Sequence, residues 1–293
     1  MSLRLFDAHC HLQLDPIYSD IDDVITNAKA SGISRISICG VNVGNDWRRV
    51  DAIATKYNDI IIPSYGIHPW WIQGNGSSSI TCCNSKDVSN DTNDNENTLP
   101  CDWQHSLMQA LSNNPHAHVG EVGLDKNIKR KVSMARQIDI LTKHIIIART
   151  YGRVLSLHCA GQWGKLLEVL TIELADNGSS NASGVLLHSC NSLPHNMVSD
   201  YLALPTPVYF SVNGKVTNGD MKTMIRSVPS HRLLIETDSP DQLLSSLLHE
   251  GAQYNQPANL VTTANIVADV LGIPLHELIT VTFNNSCTLF KVT

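Results

Sequence analysis

Eight short apolar runs, rich in Ile, Val and Leu, recur along nearly the whole chain. They are Leu3–Ala8, Arg35–Val41, Ile60–Gly66, Ala117–Val122, Val154–His158, Val185–His188, Pro207–Val212 and Leu233–Glu236. Most follow Gly, Pro or Asn and show little polar alternation, which marks parallel strands buried on both faces. Parallel neighbours need crossover segments, and the spacers read as helices. Asp20–Ser31 sets Ile21, Val24, Ile25 and Ala28 on one face and stops at Gly32. Met134–Tyr151 closes at Gly152, and Asn259–Leu271 at Gly272, each glycine a natural C-terminal cap. Eight strands with helical spacers predict an α/β fold closed into a (β/α)8 barrel. The 293 residues are enough for one such domain, spanning 1–293, with an insertion.

One stretch breaks the rhythm. From Gln73 to Asp102 the chain is rich in Ser, Asn, Asp and Thr, and Lys86 faces Asp87, Asp91, Asp94, Glu96 and Asp102. Such a composition cannot bury enough apolar area to offset its ordering entropy. Residues 73–102 are therefore expected to form a disordered acidic and polar surface insertion with no part in the chemistry.

The formal net charge of −6 excludes a protein that coats DNA through a basic surface, so any nucleic-acid contact must be local. Eight cysteines in a chain this long do not make a disulfide scaffold, and none has zinc-finger spacing. They read as reduced thiols. The N-terminal MSLRLFDAHCHLQL has no apolar core of a signal peptide, and no run reaches the ~18 apolar residues of a membrane span. A soluble monomer in the cytoplasm or nucleus, without membrane contact, is expected.

Metal-capable side chains fall at the ends of these runs. His9 and His11 close the first, Glu121 the fourth, His158 the fifth, His188 the sixth and Asp238 the eighth. That is the barrel face on which active sites are assembled. Residues i and i+2 of a strand share a face, so His9 and His11 can point into one centre. Four imidazoles and two carboxylates exceed the needs of one ion. Two divalent cations bridged by Glu121 account for all six, and the donor chemistry suits Zn2+, Mn2+ or Mg2+. A lone His-x-His is a weak sign among 13 histidines, and a second pair, His116 and His118, reads as structural. The argument rests on five strand ends agreeing.

The ordered set resembles the TatD family of metal-dependent deoxyribonucleases, within the amidohydrolase superfamily. The likeness runs through DAHCHL (Asp7–Leu12), YGIHPW (Tyr65–Trp70), GEVGLDK (Gly120–Lys126), LHC (Leu157–Cys159), HSC (His188–Cys190), YFSVNG (Tyr209–Gly214) and ETDSPD (Glu236–Asp241). NQPAN (Asn255–Asn259) and the FNN…LF close (Phe283–Phe290) extend it. The resemblance implies a TIM barrel that hydrolyses DNA phosphodiesters with divalent metals. It implies that His9, His11 and Asp238 hold one ion, His158 and His188 the other, and Glu121 both. Three departures bear on substrate preference: NSLP at Asn191–Pro194, KNIKRK after Asp125, and the insertion.

Hydrolysis by a hydroxide activated between two cations is the expected chemistry, with Asp238 taking its proton and Glu121 and His68 completing the catalytic set. Asp7 and Glu236 are expected behind the donors, steering imidazole and water. Lys126, Lys129, Arg130 and Lys131 form a compact basic patch near Glu121 and are candidate phosphate contacts, as are Asn213 and Lys215. Two other readings remain open on the sequence. One is an amidohydrolase-type esterase or deacylase acting on aminoacyl-tRNA or small esters, although such relatives commonly carry a carboxylated lysine where Glu121 stands. The other is a non-catalytic barrel, which would be expected to have lost a donor.

Overall fold

The computed structural model describes residues 4–72, 99–100, 102–128, 131–175, 182–249 and 251–292. All eight expected runs are strands: β1 Leu5–Cys10, β2 Ile33–Cys39, β3 Ile61–Tyr65, β4 His118–Asp125, β5 Val154–Ala160, β6 Gly184–Leu187, β7 Val208–Val212 and β8 Leu233–Ile235. They pair in chain order, each parallel to the next. The seam between β8 and β1 is drawn together just past the strand ends. There the Asp238 N–H donates to the His9 carbonyl (3.0 Å) and the His11 N–H to the Ser239 carbonyl (2.6 Å). The result is the expected TIM (β/α)8 barrel.

Helices α1 Ile21–Ala30, α2 Asn45–Lys56, α3 Trp103–Asn113, α4 Met134–Tyr151, α5 Trp163–Glu173, α6 Val198–Leu202 and α7 Gly219–Ser227 lie between successive strands, with α8 Ser245–His249, α9 Leu260–Leu271 and α10 Leu275–Phe290 after β8. Local signals set their ends. The Ser133 hydroxyl caps α4 by accepting from the Arg136 N–H, and Gly152 leaves it in the left-handed region that glycine adopts without strain. All the longer helices turn an apolar stripe inward onto one large core, and a smaller cluster around Phe6, Leu186 and Phe290 fills the barrel interior.

The end of the barrel away from the strand C-termini is plugged by aromatic rings. Phe6 stacks on Phe290 at 5.2 Å and meets Phe283 at 6.4 Å, with His118 tilted on Phe290 at 5.2 Å. Asn285 donates from α10 to the Ser230 and Leu233 carbonyls, which holds the start of β8. The FNN…LF close is thus a structural element of the barrel floor.

The predicted insertion lies almost wholly outside the described residues; near its end Leu99 packs on the core, and α3 begins directly after it. Cys10, Cys39, Cys159, Cys190 and Cys287 are free thiols, while Cys82, Cys83 and Cys101 fall outside the described residues. No single described helix is long and apolar enough to cross a membrane.

Two buried histidines far from the strand C-termini carry a pH liability. Burial pushes the His118 pKa down to about 3, with Arg153 and Lys291 adding to the effect. Burial also pushes His144, stacked on Trp103 at 4.5 Å, down to about 4 against a hydrogen bond to the Ile140 carbonyl. Unfolding frees both rings to protonate near pH 6.5. Their contribution is therefore complete above that pH and is lost on acidification, by up to about 1.4 kcal/mol per pH unit for each ring, until the folded pKa is reached. Urea unfolding followed from about pH 7 down to about pH 4.5 should show that loss. The double variant His118→Phe, His144→Phe should flatten the slope, and an unchanged slope would mean the rings are already charged in the fold.

Candidate metal centre

The parallel register delivers every predicted donor to one rim. His9 and His11 stand at and just past the end of β1, Glu121 on β4, His158 on β5, His188 directly after β6 and Asp238 three residues after β8. β4 approaches β5 with no room for a side chain between them: a Cβ on Gly123 would lie 1.8 Å from the His158 carbonyl oxygen. That close approach brings Glu121 level with His158.

Glu121 sits at the centre, only 2% exposed. Its two oxygens face different partners. Oε2 lies 3.1 Å from His11 Nε2 and 3.5 Å from His9 Nε2, and both rings also approach Asp238 Oδ1, at 3.5 and 3.8 Å. Oε1 lies 2.7 Å from His188 Nε2, 3.0 Å from His158 Nδ1 and 3.5 Å from His68 Nε2. Donor atoms on a tetrahedral ion with bonds of ~2.1 Å stand about 3.4 Å apart. The spacings within His9, His11, Glu121 and Asp238, 3.1 to 3.8 Å, fit that geometry. The His/Glu/Asp cluster can hold metal ions: His9, His11 and Asp238 converge, as do His9, Glu121 and His188.

The charges lean on one another. Burial pushes Glu121 up, but His188, His68 and hydrogen bonds from His11 and His158 outweigh it and hold the carboxyl well below the usual range. Asp238 is likewise held low against burial by His11, His188 and His9. Burial disfavours charge on His11 and His188, yet the carboxylates beside them raise both rings well above the ordinary imidazole value. A cation entering this cluster takes over the role of those protons.

Each ring is oriented from behind, which frees its other nitrogen for the centre. His11 Nδ1 donates to the Cys39 carbonyl at 2.7 Å, and His9 Nδ1 sits 3.0 Å from the Ser156 hydroxyl. His158 turns Nε2 toward Asp125 (3.6 Å), and His188 turns Nδ1 toward Glu236 Oε1 (3.6 Å). His188 Nδ1, His158 Nε2 and Glu236 Oε2 make no closer hydrogen bond. Asp7 faces elsewhere: its carboxylate accepts from the Thr237 N–H (2.9 Å) and hydroxyl (2.6 Å), tying β1 to the chain after β8.

The family model described as TatD related DNase matches residues 6–291. The chain belongs to this family. It is similar to human deoxyribonuclease TATDN3, at 24% identity over 98% of this chain and 94% of that one. It is also similar to an uncharacterised metal-dependent hydrolase of Mycoplasma genitalium, at 26% identity over 98% of this chain and 99% of that one. The crystal structure of the Escherichia coli TatD homologue YjjV superposes over the whole of both chains with a TM-score of 0.79 at 22% identity, which shows the shared barrel.

Ser189 is the TatD-site residue that the sequence reading passed over. It holds a left-handed backbone (φ 44°), donates its N–H to Glu236 Oε1 (2.6 Å) and places its hydroxyl 2.8 Å from that oxygen and 3.1 Å from Asp238 Oδ2. Asn213 donates to the same hydroxyl at 3.0 Å and is locked to Asn191, so it is a buried member of this network. Asp238 is also left-handed (φ 57°), a strained placement for a non-glycine residue, held by its N–H bond to His9 and by Ser189. Its carboxylate is thereby turned back over the barrel mouth. The HSC triplet was a usable signal for Ser189, because its histidine was already marked as a donor. Lys126 is exposed on the rim, and Lys129 and Arg130 lie outside the described residues.

Gly123→Ala tests the contact that sets Glu121 against β5. The methyl must displace the His158 carbonyl, so a loss of at least about 3 kcal/mol is expected. A denaturant titration with an unchanged midpoint would show that the strands can part cheaply there.

Proposed function

We propose that the chain is a metal-dependent deoxyribonuclease, a hydrolase of DNA phosphodiester bonds working with two divalent cations. The observation that carries this reading is the division of Glu121, one oxygen toward His9 and His11 and the other toward His158 and His188. A carboxylate so placed could serve a cation with each oxygen. His9, His11 and Asp238 would hold one ion and His158 and His188 the other, each sharing Glu121. All are nitrogen and oxygen donors that suit Zn2+ or Mn2+, and less readily Mg2+. Such a pair supplies an acidified water as nucleophile and neutralises charge on the phosphate oxygens.

The protein's own groups do the rest. His68 accepts the Trp70 N–H at Nδ1 (3.1 Å), so its proton sits on Nε2, the nitrogen that faces Glu121. Burial pushes the His68 pKa down to about 3, outweighing the Glu121 charge, so the ring enters the reaction as a neutral donor. From that position Nε2–H donates to a non-bridging phosphate oxygen and stabilises the charge that builds there. Asp238 keeps its carboxylate ionised at the mouth and takes the proton of the attacking water, while the Ser189 hydroxyl fixes its orientation. The Glu236 carboxylate, 3.6 Å from His188 Nδ1, favours the proton on that nitrogen and leaves Nε2 free. Lys126 meets the backbone of the bound strand at the rim, in line with a chain whose net charge of −6 forbids a broad basic contact.

End-labelled oligonucleotides incubated with Mg2+, Mn2+ or Zn2+, beside a small carboxylic ester, test the reading. Metal-stimulated cleavage of the DNA is expected, and brisk ester turnover without it would overturn the proposal. Glu121→Ala should lower the affinity for both cations and abolish cleavage. His68→Ala should keep the full cation content and lose about 10²–10³-fold in kcat. A lost cation in His68→Ala would make that ring a metal donor instead.

A further inference from the structure

Trp70 is the largest apolar side chain left open beside the metal centre, 58% exposed, with Trp71 beside it at 37%. An isolated exposed aromatic is ordinary on a protein surface. This one is held in place. Its indole Nε1–H donates at 2.6 Å to Oδ2 of Asp125, a carboxylate only 1% exposed. Asp125 is itself fixed by the Asn127 N–H on Oδ1 (2.7 Å) and by Gln137, which accepts the Asp125 N–H and donates to its carbonyl. The same Oδ2 lies 3.6 Å from His158 Nε2. On its other side the Trp70 ring meets His68 edge-on, centroids 5.2 Å apart. One exposed indole is thus tied by a single carboxylate to a metal-donor ring and abuts the imidazole aimed at the phosphate.

We infer that Trp70 is a stacking platform for the nucleobase next to the scissile phosphate, a specificity-determining residue that Asp125 holds at a set angle to the centre. The inference rests on the phosphodiesterase reading above. A rigid aromatic plate loses little conformational freedom when a base settles on it, and base–aromatic stacking is sequence-tolerant because every base has a π-face. The position also narrows the form of the substrate: a base lying on Trp70 gives up its stacked neighbour on that face, so the nucleotide at the cleaved bond lies at a strand end or is unpaired or extruded. Next along the chain from Asp125, Lys126 and Asn127 line a cleft of about 590 Å3 with Gly161 and Trp163, which gives the strand a path with the Lys126 ammonium for its phosphates.

The test pairs Trp70→Leu, which removes the π-face, with Trp70→Phe, which keeps the face and loses the N–H to Asp125. Single-stranded oligonucleotides carry 2-aminopurine at successive positions around the mapped cleavage site. Wild-type protein should quench the fluorescence of one position flanking that site. Trp70→Leu should abolish the quenching and raise KM about tenfold, while Trp70→Phe should retain most of both. Cation content and kcat should stay within about twofold in both variants, because neither donor set is altered. Cleavage with unchanged KM and quenching in Trp70→Leu overturns the platform alone. A loss confined to kcat or to bound cation overturns it in favour of a merely structural indole. Failure of the wild-type protein to cleave any oligonucleotide overturns the deoxyribonuclease reading, and this inference with it.

Discussion

A carboxylate buried among imidazoles is the constraint around which this barrel is arranged. Glu121 lies deep in the mouth, where an isolated charge would carry a large desolvation penalty, and every polar group it meets is a histidine nitrogen. Five histidines from four strand ends converge on that one side chain. The cluster holds together as a charge-balanced unit, and the same balance makes it receptive to cations.

The donors are held from behind by groups that belong to the barrel wall. A carbonyl of β2 receives His11, a hydroxyl of β5 meets His9, and carboxylates on β4 and after β8 stand behind His158 and His188. Because these partners are embedded in the sheet, the angle of each ring is set by strand register. The left-handed backbone at Ser189 and Asp238 is the exception to the regular wall. There two loops leave standard geometry so that a hydroxyl and a carboxylate can face each other across the mouth.

The architecture and the donor set were legible in the sequence because both repeat a pattern: apolar runs set strand positions, and metal-capable residues recur at their ends. The strand limits were less so. β1 runs on to Cys10, two residues past its apolar run, and β4 runs to Asp125, because pairing with the neighbouring strand continues after the hydrophobic signal stops. Behind the donors legibility falls further. A backbone carbonyl such as that of Cys39 has no signature, and Ser156 and Ser189 are common residues whose role depends on which loop they face. Asn213 was marked for its motif, but its amide turns inward to Ser189. Asp7 was placed behind an imidazole by strand alternation, yet a threonine hydroxyl and N–H from across the seam capture it first.

The seam joins the end of the first strand to the segment after the eighth through residues of the cluster: His9 and His11 on one side, Asp238 and Ser239 on the other. A ribosome must therefore deliver the eighth strand before the first can complete its donor set. Until then a nascent chain has its histidine pair at the N-terminus but not the aspartate that faces it. Assembly of the cluster is in this way timed by synthesis itself, and a product terminated before Asp238 lacks the carboxylate that faces His9 and His11.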